Sequence, residues 1–163
     1  MKIDNKIFGN INVDAKEGAY ISEAAFSNNG RDSRCSLFIG EGFELSEHIN
    51  LVSNLLDDIC KLDEDSRKAL SDQNKDNNTT IKDYVEFHLE EVPDEVREKT
   101  GNSEISSEAF IDSLDLCGVG VHIDSENVIS LNCDYCIGKD FSDELLVVRF
   151  NTDKMITDIV NES

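Results

Sequence analysis

The chain has 163 residues, 39% hydrophobic and 31% charged, and carries thirty-five acids against fifteen bases for a formal net charge of −20. That length suits one domain with a real core, while the charge repels phosphate backbones and anionic membrane surfaces and attracts basic partners from a distance. Nucleic acid and membranes are therefore poor partners, and periodic apolar residues set the chain apart from disordered acidic tails.

The charge is uneven. Residues 1–40 hold five acids and five bases, residues 41–99 seventeen against seven, and residues 100–163 thirteen against three. The opening MKIDNKIFGNINV lacks an apolar stretch of signal-peptide length, and no 18-residue apolar run follows, so a cytoplasmic protein is expected. Five cysteines, an odd number, then read as reduced thiols rather than a disulfide framework.

In chain order, Ile7, Gly9, Ile11 and Val13 alternate with Phe8, Asn10 and Asn12 and predict a first strand. Tyr20–Phe26 predicts a second strand, Asn28-Asn29-Gly30 a hairpin turn, and Arg34–Ile39 the returning strand, ended by Gly40 and Gly42. The period then turns helical. Ile49, Val52, Leu56, Ile59 and Leu62 recur at three- and four-residue steps behind a Ser46 cap, with Glu47 in the first turn. Asp63 is placed to cap a short continuation to Leu70, and polar Ser71–Asn78 reads as a loop.

From Thr80, the residues Ile81, Tyr84, Val85, His88, Leu89 and Val92 form one apolar stripe, with Asp83, Glu86, Glu90 and Glu91 facing away. Pro93 ends that helix or begins a separate turn through Val96, Gly101 is a natural stop, and Ser106 or Ser107 caps another short helix carrying Phe110, Ile111 and Leu114. Strands return at Val119–Ile123, Ile129–Ile137 and Leu145–Phe150, and Asp153 is placed to cap a terminal helix bearing Met155, Ile156, Ile159 and Val160. These segregated runs predict an α+β fold: a mostly antiparallel sheet built from two three-strand units, a helical middle and a C-terminal helix. The expected organisation is one domain over 1–163, divided into a β-hairpin unit (1–40), a helical segment (41–116) and a second β unit with the terminal helix (117–163).

Three strings carry a resemblance: Ile7-Phe8-Gly9-Asn10-Ile11, the Leu62-Asp63 to Ser66-Arg67-Lys68-Ala69-Leu70 stretch, and Asp83-Tyr84-Val85-Glu86-Phe87-His88-Leu89. On these the chain resembles a bacterial domain family of unknown function, the one numbered two thousand and four. The resemblance implies a small bacterial cytosolic protein and brings no catalytic residues with it.

Cys133-Asp134-Tyr135-Cys136 has the CxxC spacing of zinc and redox sites. It lies inside an alternating strand, where residues three apart point to opposite faces. Cys133 is thus expected in the core with Ile129, Leu131 and Tyr135, and Cys136 on the other face. His88 falls on a helical apolar stripe and reads as a packed, hydrogen-bonded histidine, and His48 sits in a solvated first turn. His122 is expected on the outward sheet face with Asp124, near Asn132, Asp134 or Arg149. Asp57-Asp58, Glu90-Glu91 and Asp94-Glu95 are adjacent acids that do not face each other on a helix, and no EF-hand loop, phosphate loop, dinucleotide fingerprint, HExxH or GxSxG string occurs.

Two readings follow. The leading one is a non-enzymatic acidic protein-binding domain with no cofactor and a basic protein as partner, sharpest as a toxin-neutralising immunity or inhibitor protein. Asp57, Asp58, Glu86, Glu90 and Glu91 are its candidate partner-binding residues. The alternative is an enzyme or metal-binding protein with a site on the C-terminal sheet near His122, Asp134 and Cys136. A third reading gives the acidity no role beyond solubility.

Overall fold

The computed structural model describes residues 2–12, 19–40, 45–101 and 104–163. The chain opens with a small hairpin, β1 (Lys2–Asn5) and β2 (Gly9–Asn12). The single first strand expected from Ile7 is replaced by this turn. The Asn5 side chain accepts from the N–H groups of Ile7 and Phe8 at 2.9 and 3.0 Å, and Gly9 takes a φ of 68°, so the chain reverses there. Val13 and Gly42 lie outside the described residues.

Asn29 and Gly30 both take positive φ (51° and 76°), and this two-residue turn joins β3 (Tyr20–Asn28) to β4 (Arg31–Ile39) as the expected hairpin. Among the described residues five helices follow: α1 (Leu45–Asp57), α2 (Ile59–Lys75), α3 (Thr79–Glu91), α4 (Pro93–Thr100) and α5 (Ser107–Ser113). The periodic run from Ile49 to Leu62 is split at Asp58, and Ser46 and Glu47 fall in the first turn of α1. Asp63 is interior to α2 rather than its cap.

Residues expected as a loop from Ser71 belong to α2 as far as Lys75. The Lys68–Asp72 pair at 2.6 Å and the Asn74–Ser107 hydrogen bond at 3.2 Å, which ties α2 to α5, favour the extra turn. Asn77, at φ 56°, then reverses the chain, and Asn78 caps α3 by accepting from Thr80 and Ile81. Pro93 opens α4, Gly101 ends it in the left-handed region, and Ser106 caps α5 through the Ala109 N–H at 3.1 Å.

The remaining strands are β5 (Asp115–Ile123), β6 (Ile129–Cys136), β7 (Leu145–Phe150) and β8 (Ile156–Glu162). The last of these stands where the sequence predicts a helix. Four of its seven residues are β-branched, and Asn151 accepts from the N–H groups of Asp153 and Met155, so Asp153 belongs to a hairpin turn and caps nothing. β8 gains a ladder on β7 that an isolated last helix would lack.

Six of the described strands form one sheet in the order β3-β4-β5-β6-β7-β8, with β1 and β2 apart. All neighbours are antiparallel except β4 and β5, which are linked by a crossover through the helical segment. The fold is therefore α+β with a mostly antiparallel sheet. The two β segments do not form separate three-strand units, because pairing of β4 with β5 fuses them.

One face of the sheet carries Cys35, Leu37, Ile39, Val121, Leu131, Cys133, Tyr135, Leu146, Val148 and Phe150, all without solvent exposure. They join Leu55, Leu56, Ile59, Tyr84 and Phe110 of the helices in a continuous core. Burying each of the larger apolar side chains contributes about 1.5–3 kcal/mol. A polar hub fastens the layers. The Asp63 carboxylate, 1% exposed, accepts from Tyr135 Oη at 2.7 Å, Asn28 Nδ2 at 2.9 Å and Arg67 Nε at 3.0 Å. Arg67 in turn donates to the Leu114 carbonyl and lies over the Tyr135 ring. His88 does the same for α3: its Nδ1–H donates to the Tyr84 carbonyl at 2.8 Å, and its Nε2 accepts from Ser142 Oγ at 3.0 Å. Burial lowers its pKa, consistent with that neutral tautomer.

Candidate functional site on the open face of the sheet

Strand alternation places a second set of side chains on the face turned away from the helices. One row runs Ile21, Phe38, Gly120, Asn132, Arg149 and Asp158 across all six strands, and the next runs Glu23, Ser36, Gly118, Asp134, Val147 and Val160. Gly118 and Gly120 leave a trough along β5. A Cβ on Gly118 would lie 2.8 Å from Asp134 Oδ2, and one on Gly120 would lie 2.5 Å from His122 Nε2. Both polar side chains therefore lean over the glycines, and His122 also stacks against Phe38, with ring centroids 5.5 Å apart.

This placement explains the electrostatics. Burial raises the Asp134 pKa to about 6; Glu162 pushes in the same direction and Arg149 against it. Burial lowers the His122 pKa, with Glu162 opposing and Arg149 assisting. Arg149 itself is held by Glu162 and Asp158 on β8. Asn132, Asp134 and Arg149 share the outward face of His122 as expected, with Glu162 as a member the sequence does not announce. Asp124, expected beside them, instead lies past the end of β5 and accepts from the N–H groups of Glu126 and Val128 in the turn.

Two clefts open on this face. One, of about 340 Å³, is lined by Phe38, Gly118, Asp134, Leu145 and the thiols of Cys117 and Cys136. The other, of about 310 Å³, holds Glu23, Arg34, Asp115, Asp140 and the same two thiols. Lys139 borders both clefts and reaches across β5 to donate to Ser36 Oγ at 2.7 Å.

Cys133 and Cys136 point to opposite faces, as alternation requires. Cys133 is in the core, where burial holds its thiol pKa well above the usual range. Cys136 instead meets Cys117. The β5–β6 register slips between Leu116 and Gly118, so Cys117 is the extra residue of a β-bulge. Its S–H donates to the Asp134 carbonyl at 3.3 Å, and Cys117 and Cys136 line the same two clefts as neighbours. The neighbouring Cys117 thiol, the Gly138 N–H and Lys139 lower the Cys136 pKa, against burial and Asp115, while the Cys117 pKa rises. Among the described residues, no group of three His, Cys, Asp or Glu side chains converges as metal ligands.

The candidate partner-binding acids lie away from this face, in two places. Asp57 and Asp58, at the α1–α2 junction, line a cleft of about 460 Å³ with Asp4 and Lys6. There Asp58 pairs with Lys154, and Asp57 accepts from Asn5 at 3.3 Å. Glu86, Glu90 and Glu91 are on α3, with Lys82 3.7 Å from Glu86. On the same side of α3, Phe87 is 42% exposed, and helical spacing sets it among Asp83, Glu90 and Glu91. The sequence pattern does not single out Phe87, since a phenylalanine beside an apolar stripe reads as core.

No helix among the described residues is long and apolar enough to cross a membrane. No family model matches the chain, and neither a curated protein nor a solved structure matches it.

Proposed function

We propose that the chain is a non-enzymatic protein-binding module that holds a basic protein partner on the solvent side of α3. The observation that carries this reading is Phe87, an exposed aromatic ring set among Asp83, Glu90 and Glu91, with exposed Glu86 on the adjoining flank of the helix. An aromatic face bordered by carboxylates suits a lysine or arginine side chain, which gains ring contact and charge pairing together. The net charge of −20 steers such a partner inward from beyond contact distance. A cytoplasmic toxin-neutralising inhibitor is the sharpest form of this reading, since blocking a basic active cleft needs only binding.

The test is a low-salt pull-down from the source organism with three baits: the intact chain, Phe87→Ala, and the combined Glu86→Gln, Glu90→Gln and Glu91→Gln variant. The expected result is one basic protein retained near stoichiometry by the intact chain, released by salt, and lost with both variants. Equal retention on all three baits overturns the assignment to α3. With the partner in hand, its on-rate should fall about tenfold or more between low and physiological salt.

A further inference from the structure

We propose that Cys117 and Cys136 form a peroxide-oxidisable dithiol on the open face of the sheet, closing to a cross-strand disulfide. This goes beyond the protein-binding reading and does not depend on it.

The geometry begins with the bulge. Without the slip at Leu116/Gly118, alternation back from Val119 and Val121 would turn Cys117 into the core. The extra residue instead leaves Cys117 two residues on from Asp115, the direct partner of Cys136. The bulge removes the regular diagonal offset and sets both residues on the lining of the same two clefts, with their thiols as electrostatic neighbours. Neither belongs to the core cluster that includes Cys35 and Cys133, yet both line the two clefts bordered by Lys139.

The surroundings assign different roles. Cys136 lies beside the Cys117 thiol, the Gly138 N–H and the positive field of Lys139, all of which favour a thiolate. Cys117 is the proton-bearing partner. At 5% and 1% exposure, Cys117 and Cys136 admit a small oxidant far better than a bulky disulfide. Hydrogen peroxide fits that access. Cys136 releases its proton and the thiolate attacks one peroxide oxygen; the O–O bond breaks, the departing hydroxide combines with the released proton as water, and a sulfenic acid is left. Cys117 then loses its proton and attacks the Cys136 sulfur; the S–O bond breaks and a second water leaves. Two thiols and one peroxide thus give one disulfide and two waters.

Cys60 is an exposed lone thiol, so the test uses the full chain carrying Cys60→Ser, which retains four cysteines of the original five. After a few equivalents of hydrogen peroxide and removal of the excess, remaining thiols are alkylated in acid denaturant. The chain is then cut after Asp and Glu. Cleavage at Asp124, Glu126 and Asp134 places Cys117, Cys133 and Cys136 on separate peptides.

The expected result is loss of two alkylatable thiols and a linkage of the Cys117 and Cys136 peptides. Adding Cys117→Ser should leave a Cys136 sulfenic acid trapped by dimedone, and adding Cys136→Ser should slow oxidation about tenfold or more. Full alkylation of all four thiols after treatment, or a linkage through Cys133, overturns the proposal. The first measurement needs no substitution in the pair, so it decides the matter even where a serine variant misfolds.

Discussion

The two faces of the sheet differ in what their strands present and what covers them. The helix-covered face is a run of fully buried apolar side chains interrupted by one polar hub, Asp63 with Tyr135, Asn28 and Arg67. Among the described residues no helix covers the open face, yet Asp134, His122, Cys117 and Cys136 are buried or half-buried there, and glycines at 118 and 120 let Asp134 and His122 lie flat. Polar groups on the covered face meet partners of fixed geometry and fasten layers. On the open face the same kinds of groups keep shifted pKa values and border clefts, the condition under which side chains retain chemistry.

The largest expected effect breaks the covered face. Asp63→Ala leaves the Arg67 guanidinium and the Tyr135 hydroxyl without their acceptor, and urea denaturation should show a loss of about 3–5 kcal/mol. Tyr135→Phe removes one donor from the same hub and should cost about 1–2 kcal/mol.

The open face responds in the opposite sense. The Asp134 pKa is raised in the fold from 3.8 to about 6. Its favourable contribution is therefore complete below the unfolded value and lost as pH rises through the folded one. Asp134→Asn should stabilise the protein by about 2 kcal/mol near pH 8, and the gain should vanish near pH 3.5 as both forms become neutral. Denaturation at the two pH values checks it; a pH-independent difference would remove Asp134 from the buried trough.

Gly120→Ala is a smaller perturbation. The added Cβ displaces the His122 ring, costing about 1 kcal/mol, and NMR titration should show the His122 pKa moving up toward 6.5 as the ring gains water. The smallest expected effect belongs to neither face. Glu90→Gln and Glu91→Gln on α3 should each change stability by less than about 0.5 kcal/mol, so any loss of partner binding reads directly as an interface effect.

Much of the fold is legible in local chemistry. Asn29-Gly30 specifies its turn because both positions need positive φ, and the α3 stripe reads correctly because Ile81, Tyr84, Val85 and His88 recur at helical spacing. The terminal segment misleads because Met155, Ile156, Ile159 and Val160 fit a helical step as well as a half-buried edge strand, and pairing with β7 decides between them. At the candidate site, the outward facing of His122, Asp134 and Arg149 follows from alternation, but their grouping comes from the β5–β6–β7 pairing, which no local pattern fixes. The thiol pair does not follow from alternation, because CxxC directs attention to Cys133, and no local signal marks the bulge at Cys117.

Periodicity and side-chain charge were enough to set the element types through most of the chain, the acidic character of the helical segment and the opposite facing of Cys133 and Cys136. Both act within a few residues, so both can be read along the chain. The parallel pairing of β4 with β5, the strand state of the last segment and the meeting of Cys117 with Cys136 came from the assembled sheet. These depend on contacts between residues distant along the chain, where one extra residue in a ladder is enough to turn a side chain from the core to an open cleft.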